Sequence, residues 1–241
     1  MIKKAVILAA GMGLRMKEMG ETIPKGFLQF DEIPIIEHSL KALLSVGIEE
    51  ILIVTGHRRE YFENLKAIYS EVLTVENVKF AETGTMYSLW CARDFIDSDF
   101  ILLESDLIYD AEFIPSILKA PHQDCLLLSG TTQGGDEVFV EAVGERVTQI
   151  TKDLDSTQTL AGEYVGIAKI SKSFYEKLSQ TAEPLFEKFP KLSYDMDCMV
   201  RIAKDHPIHY FKIEGLNWAE IDDLKQLERA KDVWDKIQKG Q

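Results

Sequence analysis

An unbroken apolar run, Ala5-Val6-Ile7-Leu8-Ala9-Ala10, opens directly into Gly11-Met12-Gly13-Leu14-Arg15. Consecutive apolar residues without polar alternation read as a strand buried on both faces, which places it inside a sheet covered by helices on both sides. A strand that ends in a glycine-rich turn leaves backbone N–H groups unpaired at its mouth, where an anion collects them. The expectation is a phosphate cradle, with Arg15 and the later Pro24-Lys25-Gly26 supplying cations.

Two familiar phosphate loops are excluded by the letters. A dinucleotide fingerprint needs a further glycine where this chain has Met16, and a P-loop ends in Gly-Lys-Ser/Thr, which does not occur. Downstream, apolar runs and helical periodicities alternate. Ile33–Val46 reads as a helix, Glu50–Thr55 as a strand, Arg58–Tyr69 as a helix, Leu73–Val75 and Val78–Phe80 as strands, Met86–Phe95 as a helix and Phe100–Leu103 as a strand. That order argues for a doubly wound α/β sheet, whose ligands sit at the carboxyl ends of its strands. The Gly11 loop and the segment Glu104-Ser105-Asp106 both lie at such ends.

The charge narrows the ligands. With 40 acidic against 27 basic residues and a net charge of −13, the chain has no basic field for a nucleic acid or an anionic membrane surface. A polyanion must therefore be met locally, by the glycine turn, Arg15, Lys25 and a divalent metal. The length of 241 residues and the 46% hydrophobic content suit one soluble domain. No run reaches the length of a membrane span, and the apolar start breaks at Gly11 without a cleavage pattern, so no leader is expected. Cys91, Cys125 and Cys198 lack metal-ligand spacing and read as reduced thiols of a cytoplasmic protein.

Asp106 follows a buried strand and is held by rigid backbone. From this segment alone it is equally a metal ligand beside a triphosphate or the cap of a following helix. Thr83-Gly84-Thr85 reads as a helix start that presents N–H and hydroxyl groups, with Met86, Leu89 and Trp90 turned to the core.

The signature Leu-Ala-Ala-Gly-x-Gly-x-Arg with a later Pro-Lys resembles the nucleotidyltransferases that couple a nucleoside triphosphate to a phosphorylated small molecule. The resemblance implies a mostly parallel, Rossmann-like sheet with a small β-rich insertion on the acceptor side, in a single domain whose nucleotide half spans about residues 1–120 and acceptor half about 121–241. It places Leu8, Ala10, Gly11 and Gly13 at the nucleotide, and Arg15 and Lys25 on the triphosphate. It makes Asp106 and Asp222 ligands of Mg²⁺, with Glu220 next and Asp223 capping the helix Leu224–Ile237. In relatives acting on choline- or ethylamine-type headgroups, a Tyr-Ser-Leu stretch lies beside cytosine; Glu82, Thr85 and Ser88 take those places here.

The segments Leu102–Tyr109, Gly135–Val140, Gly162–Ile167, Pro190–Asp195 and Trp218–Asp223 resemble the 2-aminoethylphosphonate cytidylyltransferases, relatives often fused to a transaminase domain. Phosphocholine cytidylyltransferases share the first motif and the metal acids, so the middle third separates the two. The partners implied are CTP and a small zwitterionic phosphonate or phosphate ester, with a sugar 1-phosphate as a further alternative. Lys152 matches a family lysine that meets the acceptor's phosphonate. For the ammonium, Asp136, Glu163, Asp195 and Asp197 are candidates, with Tyr194 as a cation–π face. Asp136 is equally the start of a strand, and Asp195 the cap of a helix Met196–Lys204. His57 is the one histidine expected near the crevice.

Overall fold

The computed structural model describes residues 2–132, 134–135 and 137–240. The first apolar run is strand β1 (Lys4–Ala9), followed by a 3₁₀ turn (Leu14–Met16), helix α1 (Glu18–Thr22) and the small ribbon β2 (Gln29–Phe30) and β3 (Ile33–Pro34). Then come α2 (Ile35–Ser45), β4 (Glu50–Thr55), α3 (Arg59–Leu65), β5 (Val72–Glu76), α4 (Thr85–Cys91) and β6 (Phe100–Glu104). The chain continues through β7 (Leu107–Tyr109), α5 (Phe113–Lys119), β8 (Cys125–Ser129), the hairpin β9 (Phe139–Val143) and β10 (Arg146–Thr151), and the long β11 (Leu160–Ile170). It closes with α6 (Lys172–Ala182), a π-helical turn (Tyr194–Met199) running into α7 (Val200–Ile202), β12 (His209–Lys212), β13 (Trp218–Glu220) and α8 (Leu224–Gly240).

Among the described residues, nine strands form the central sheet in the order β5-β4-β1-β6-β11-β8-β12-β10-β9. The first four are mutually parallel, as the alternating sequence requires. Beyond β6 the sheet is mixed: β11 runs antiparallel to β6 and β8, while β12 is parallel to β8. β11 also pairs through its first residues with β9, so the far edge folds back on the sheet. Antiparallel pairs build most of this half, the parallel β8–β12 pair being the exception.

Strand alternation assigns each side chain to a layer. Val6, Leu8, Phe100 and Leu102 pack with Met86 and Leu89 of α4 and with Phe174 and Leu178 of α6. Ala5, Ile7, Ile101 and Leu103 pack against Leu40 of α2, Phe62 of α3 and Phe113 of α5. A third cluster joins Ile108, Ala219 and Ile221 to Trp234 of α8.

Several expected boundaries move. Val78–Phe80 is a turn: the Asn77 N–H donates to Thr55 O at 2.8 Å, then Asn77 Oδ1 takes the Lys79 N–H at 2.9 Å and reverses the chain, leaving Val78 74% exposed. The helix expected from Ile33 starts at Ile35, because Ile33–Pro34 pairs with β2. α3 and α4 stop at Leu65 and Cys91 and unwind through turns. The helix expected at Met196–Lys204 is displaced towards the N-terminus and begins as a π turn at Tyr194.

Asn77 is fully buried, and its Nδ2 donates to Thr83 Oγ1 and Ser88 Oγ, both at 3.0 Å. Asn77→Ala is therefore expected to lower stability by about 2–3 kcal/mol, since it strands buried polar groups, and urea denaturation measures this.

Candidate active site

A cavity of about 320 Å³ opens at the carboxyl ends of β1 and β6. Leu8, Ala10, Gly11 and Arg15 line one side of it, and Thr85 and Ser88 another. Gly13 stands behind the loop, where its carbonyl accepts the Met16 N–H at 2.9 Å and starts the turn that carries Arg15. Glu82 does not reach the cavity: it is exposed in the turn set by Asn77, its N–H bonded to Lys79 O. His57 also turns away, with Nε2 at 3.0 Å from Gly20 O, so it braces the loop from behind.

Lys25 enters from a 3₁₀ turn, Lys25–Phe27, that lies against the end of β6. Gly26 permits this approach, because a Cβ there would stand 3.0 Å from Ser105 O. The Lys25 ammonium donates to Asp106 Oδ2 and, at 2.6 Å, to Asp222 Oδ1, while an Arg15 guanidinium nitrogen lies 2.6 Å from Asp222 Oδ2. β13 pairs with β7 so that Glu220 is opposite Leu107, and Ile221 N–H donates to Asp106 O at 3.1 Å. That pairing holds Asp106, Glu220 and Asp222 together, with one oxygen of each within 4.8 Å of the others. Asp106 caps no helix, since β7 follows it. Asp223 does cap α8, accepting the Gln226 N–H at 2.8 Å.

Burial pushes the Lys25 ammonium down, but the charges of Asp106 and Asp222 outweigh it and hold its pKa well above the ordinary value. Burial likewise pushes Asp222 up, yet Lys25 and Arg15 together hold it below the usual carboxylate range. At Glu220 the Lys25 charge offsets too little, and burial beside Asp106 and Asp222 drives it far up. Three carboxylates, one of them raised by its neighbours, form a hard-oxygen donor set of the kind that divalent cations take. Asp106 Oδ1 is buried and without a hydrogen-bond partner among the described residues, as a ligand atom facing a cation would be. The residues thus fit a divalent metal at this point.

The opposite wall comes from the second half of the chain. Lys152, just past β10, and Asp195, in the π turn, both line the cavity, and the Lys152 charge partly offsets the burial that raises Asp195. Two of the other ammonium candidates, Glu163 and Asp197, do not line it. Glu163 precedes Tyr164 on β11, and strand alternation sends it to the far face, where its Oε1 accepts the Thr132 N–H at 2.8 Å. Asp197 is exposed and closes a reciprocal cap with Ser193, accepting its N–H at 2.8 Å. Asp136 lies outside the described residues. Tyr194 does line the cavity, but it is only 1% exposed, and its hydroxyl donates to Glu104 Oε1 at 2.9 Å.

Glu104 is the residue that sequence reasoning missed. It continues the Phe100-Leu102 row of β6, so its carboxyl emerges at the cavity floor, where burial, Asp106 and Asp195 push it up to about 8. Its room comes from Gly166, at φ +80°, where a Cβ would meet Glu104 Cγ at 3.0 Å. An acid ending an otherwise apolar alternating row was the available signal.

The profile of the MobA-like NTP transferase domain matches residues 5–237. The chain belongs to that family. A 2-aminoethylphosphonate cytidylyltransferase of Lancefieldella rimae is 29% identical over 92% of this chain and 89% of its own length. A choline-phosphate cytidylyltransferase of Streptococcus pneumoniae is 25% identical over 95% and 97%. In structure, the inositol-1-phosphate CTP transferase of T. maritima superposes with a TM-score of 0.82 at 21% identity, covering 99% of this chain and 97% of that one. The nucleotidyltransferase fold is thereby established, and, among the described residues, no helix is long and apolar enough to cross a membrane.

Lys25→Met removes the cation between Asp106 and Asp222. At about pH 7 the variant is expected to lose about 3 kcal/mol, because it leaves buried carboxylates uncompensated. Since Lys25 and Arg15 hold Asp222 below its unfolded pKa, the stability this brings is present above that unfolded value and fades as pH falls through the folded one. Urea midpoints of the two proteins should converge as pH falls below the ordinary aspartate value of about 3.9; a gap independent of pH would refute this account of the charge balance.

Proposed function

We propose that this protein is a cytidylyltransferase joining CTP to 2-aminoethylphosphonate, releasing pyrophosphate and forming CMP-2-aminoethylphosphonate. The observation that carries the reading is the arrangement of one cavity with cations and an acid cluster at one end and Lys152 beside buried carboxylates at the other. A zwitterion with an anionic and an ammonium end matches that second wall, and the 29% identical relative bears the corresponding name. A phosphocholine acceptor is the second reading, favoured by the Streptococcus pneumoniae relative; a sugar 1-phosphate offers no ammonium to the carboxylates.

In this reading the Gly11 loop and Arg15 take the triphosphate, and Thr85 and Ser88 stand beside the base. Lys152 holds the phosphonate of the acceptor. One phosphonate oxygen attacks the α-phosphorus, its new P–O bond forms as the bond to the β-phosphate bridging oxygen breaks, and pyrophosphate departs with that electron pair. The phosphonate is ionised at neutral pH, so no side chain need act as base. Lys25 has three N–H donors; Asp106 and Asp222 take two, which leaves one for the charge that grows on the leaving group. Asp106 and Asp222, with Glu220 alongside, would hold Mg²⁺, which would supply further charge neutralisation for the two anionic reactants. Positioning and electrostatics carry the reaction.

Pyrophosphate release with CTP and Mg²⁺ should be fastest with 2-aminoethylphosphonate in a panel that also holds phosphocholine, phosphoethanolamine and glucose 1-phosphate; fastest release with another acceptor would replace the named one. Asp106→Ala is expected to abolish Mg²⁺-dependent turnover in a protein that still folds, and full activity would overturn the metal assignment. Lys152→Ala should raise KM for the acceptor by about tenfold and that for CTP much less, as loss of one charge-assisted contact requires.

A further inference from the structure

We propose that Glu104 is the specificity-determining residue that receives a primary ammonium group of the acceptor, held in place for that task by the hydroxyls of Tyr194 and Tyr164. The inference rests on the acceptor class put forward above and assigns the recognition of its amine to a side chain to which the resemblance gave no role.

The geometry begins with a chain of hydroxyls. Tyr194 Oη donates its single proton to Glu104 Oε1 at 2.9 Å, so in its 3.1 Å contact with Tyr164 it must be the acceptor. Both phenol protons therefore run in one direction, Tyr164 to Tyr194 to Glu104, and end on the carboxylate. The two rings are buried, 5% and 1% exposed, which fixes the hydroxyls with little freedom to turn. Gly166 leaves the space for the Glu104 stem on the other side. A carboxyl group oriented by one oxygen in this way can present its second oxygen to the cavity, where an ammonium ion would favour the charged form that burial and the neighbouring acids otherwise oppose.

Glu104 lies deep in the molecule and lines the cavity together with Asp195, while the remaining cavity acids, Asp106, Glu220 and Asp222, are gathered around Lys25. A primary ammonium carries three N–H donors and can bond Glu104 and Asp195 at once. A trimethylammonium group has no such donor and needs open aromatic faces. Here the two nearest tyrosines are edge-locked in the core with their hydroxyls committed. The wall is built for hydrogen bonding, which rejects an analogue without donors more strongly than an apolar pocket rejects extra methyl groups.

The test compares 2-aminoethylphosphonate with propylphosphonate, which has the same length but a methyl group for the ammonium. In Glu104→Gln, which keeps the acceptor for Tyr194 but removes the charge, KM for aminoethylphosphonate should rise at least tenfold. KM for CTP and the inhibition constant of propylphosphonate should stay within about threefold, because neither meets Glu104 through an amine. Equal weakening of both phosphonates, or unchanged KM for aminoethylphosphonate, overturns the assignment. Tyr194→Phe provides the check if the Glu104 variant fails to fold. It should raise the same KM by about threefold without moving the propylphosphonate constant, and no rise would count against the proposal. A wild-type enzyme that prefers phosphocholine sinks the acceptor reading itself and the primary-amine receptor with it. A wild-type preference for aminoethylphosphonate combined with normal binding by Glu104→Gln sinks the Glu104 assignment alone.

Discussion

The Lys25 ammonium between Asp106 and Asp222 is the contact on which this molecule's architecture turns. Three carboxylates crowded at the end of a buried strand repel each other and are costly to desolvate. Lys25 and Arg15 make the cluster tolerable in the folded protein. In the proposed reaction the same two cations meet the triphosphate. Stability and function thus draw on one charge balance, and a change that improves one disturbs the other.

That balance requires parts distant in the chain to meet at short range. Asp106 comes from the end of β6, Asp222 from beyond β13, Lys25 from the turn before β2 and Arg15 from the loop after β1. The antiparallel pairing of β7 with β13 is the joint that aligns them, with the Ile221 N–H on Asp106 O fixing the register. α8 covers that joint from outside through Ala230 and Trp234. A fold with parallel strands alone would not have returned the C-terminal acids to this point. The mixed half of the sheet has a second effect: it brings Lys152, Tyr164, Tyr194 and Asp195 to the same cavity as Gly11, Arg15 and Lys25.

Among the acids that sequence reading marked, the divergence between expectation and position has one physical origin. Glu163 and Tyr164 are neighbours in the chain, yet strand alternation sends one to the far face and the other into the cavity. Asp197 and Asp195 are two apart in a π turn, and only Asp195 faces inward, because Ser193 captures Asp197 as a cap. Glu82 is exposed because Asn77 turns the chain before it. In each case a residue type suited to the chemistry was present, and local backbone geometry decided its direction: strand alternation for Glu163, a cap for Asp197 and a turn for Glu82.

The sequence by itself determined the buried parallel core and the glycine turn with Arg15 and Lys25 following it, because an apolar run and a glycine-rich turn are local patterns. The meeting of Asp106, Glu220 and Asp222 was implied by the family resemblance and not by the local pattern, which left Asp106 equally a helix cap. Only the tertiary structure decided which carboxylates face the acceptor end, that β11 runs against β6, and that Glu104 is steadied by two buried hydroxyls. Those outcomes depend on register and on contacts between residues far apart in the chain, where one position along a strand changes the face a side chain presents and the charge it must meet.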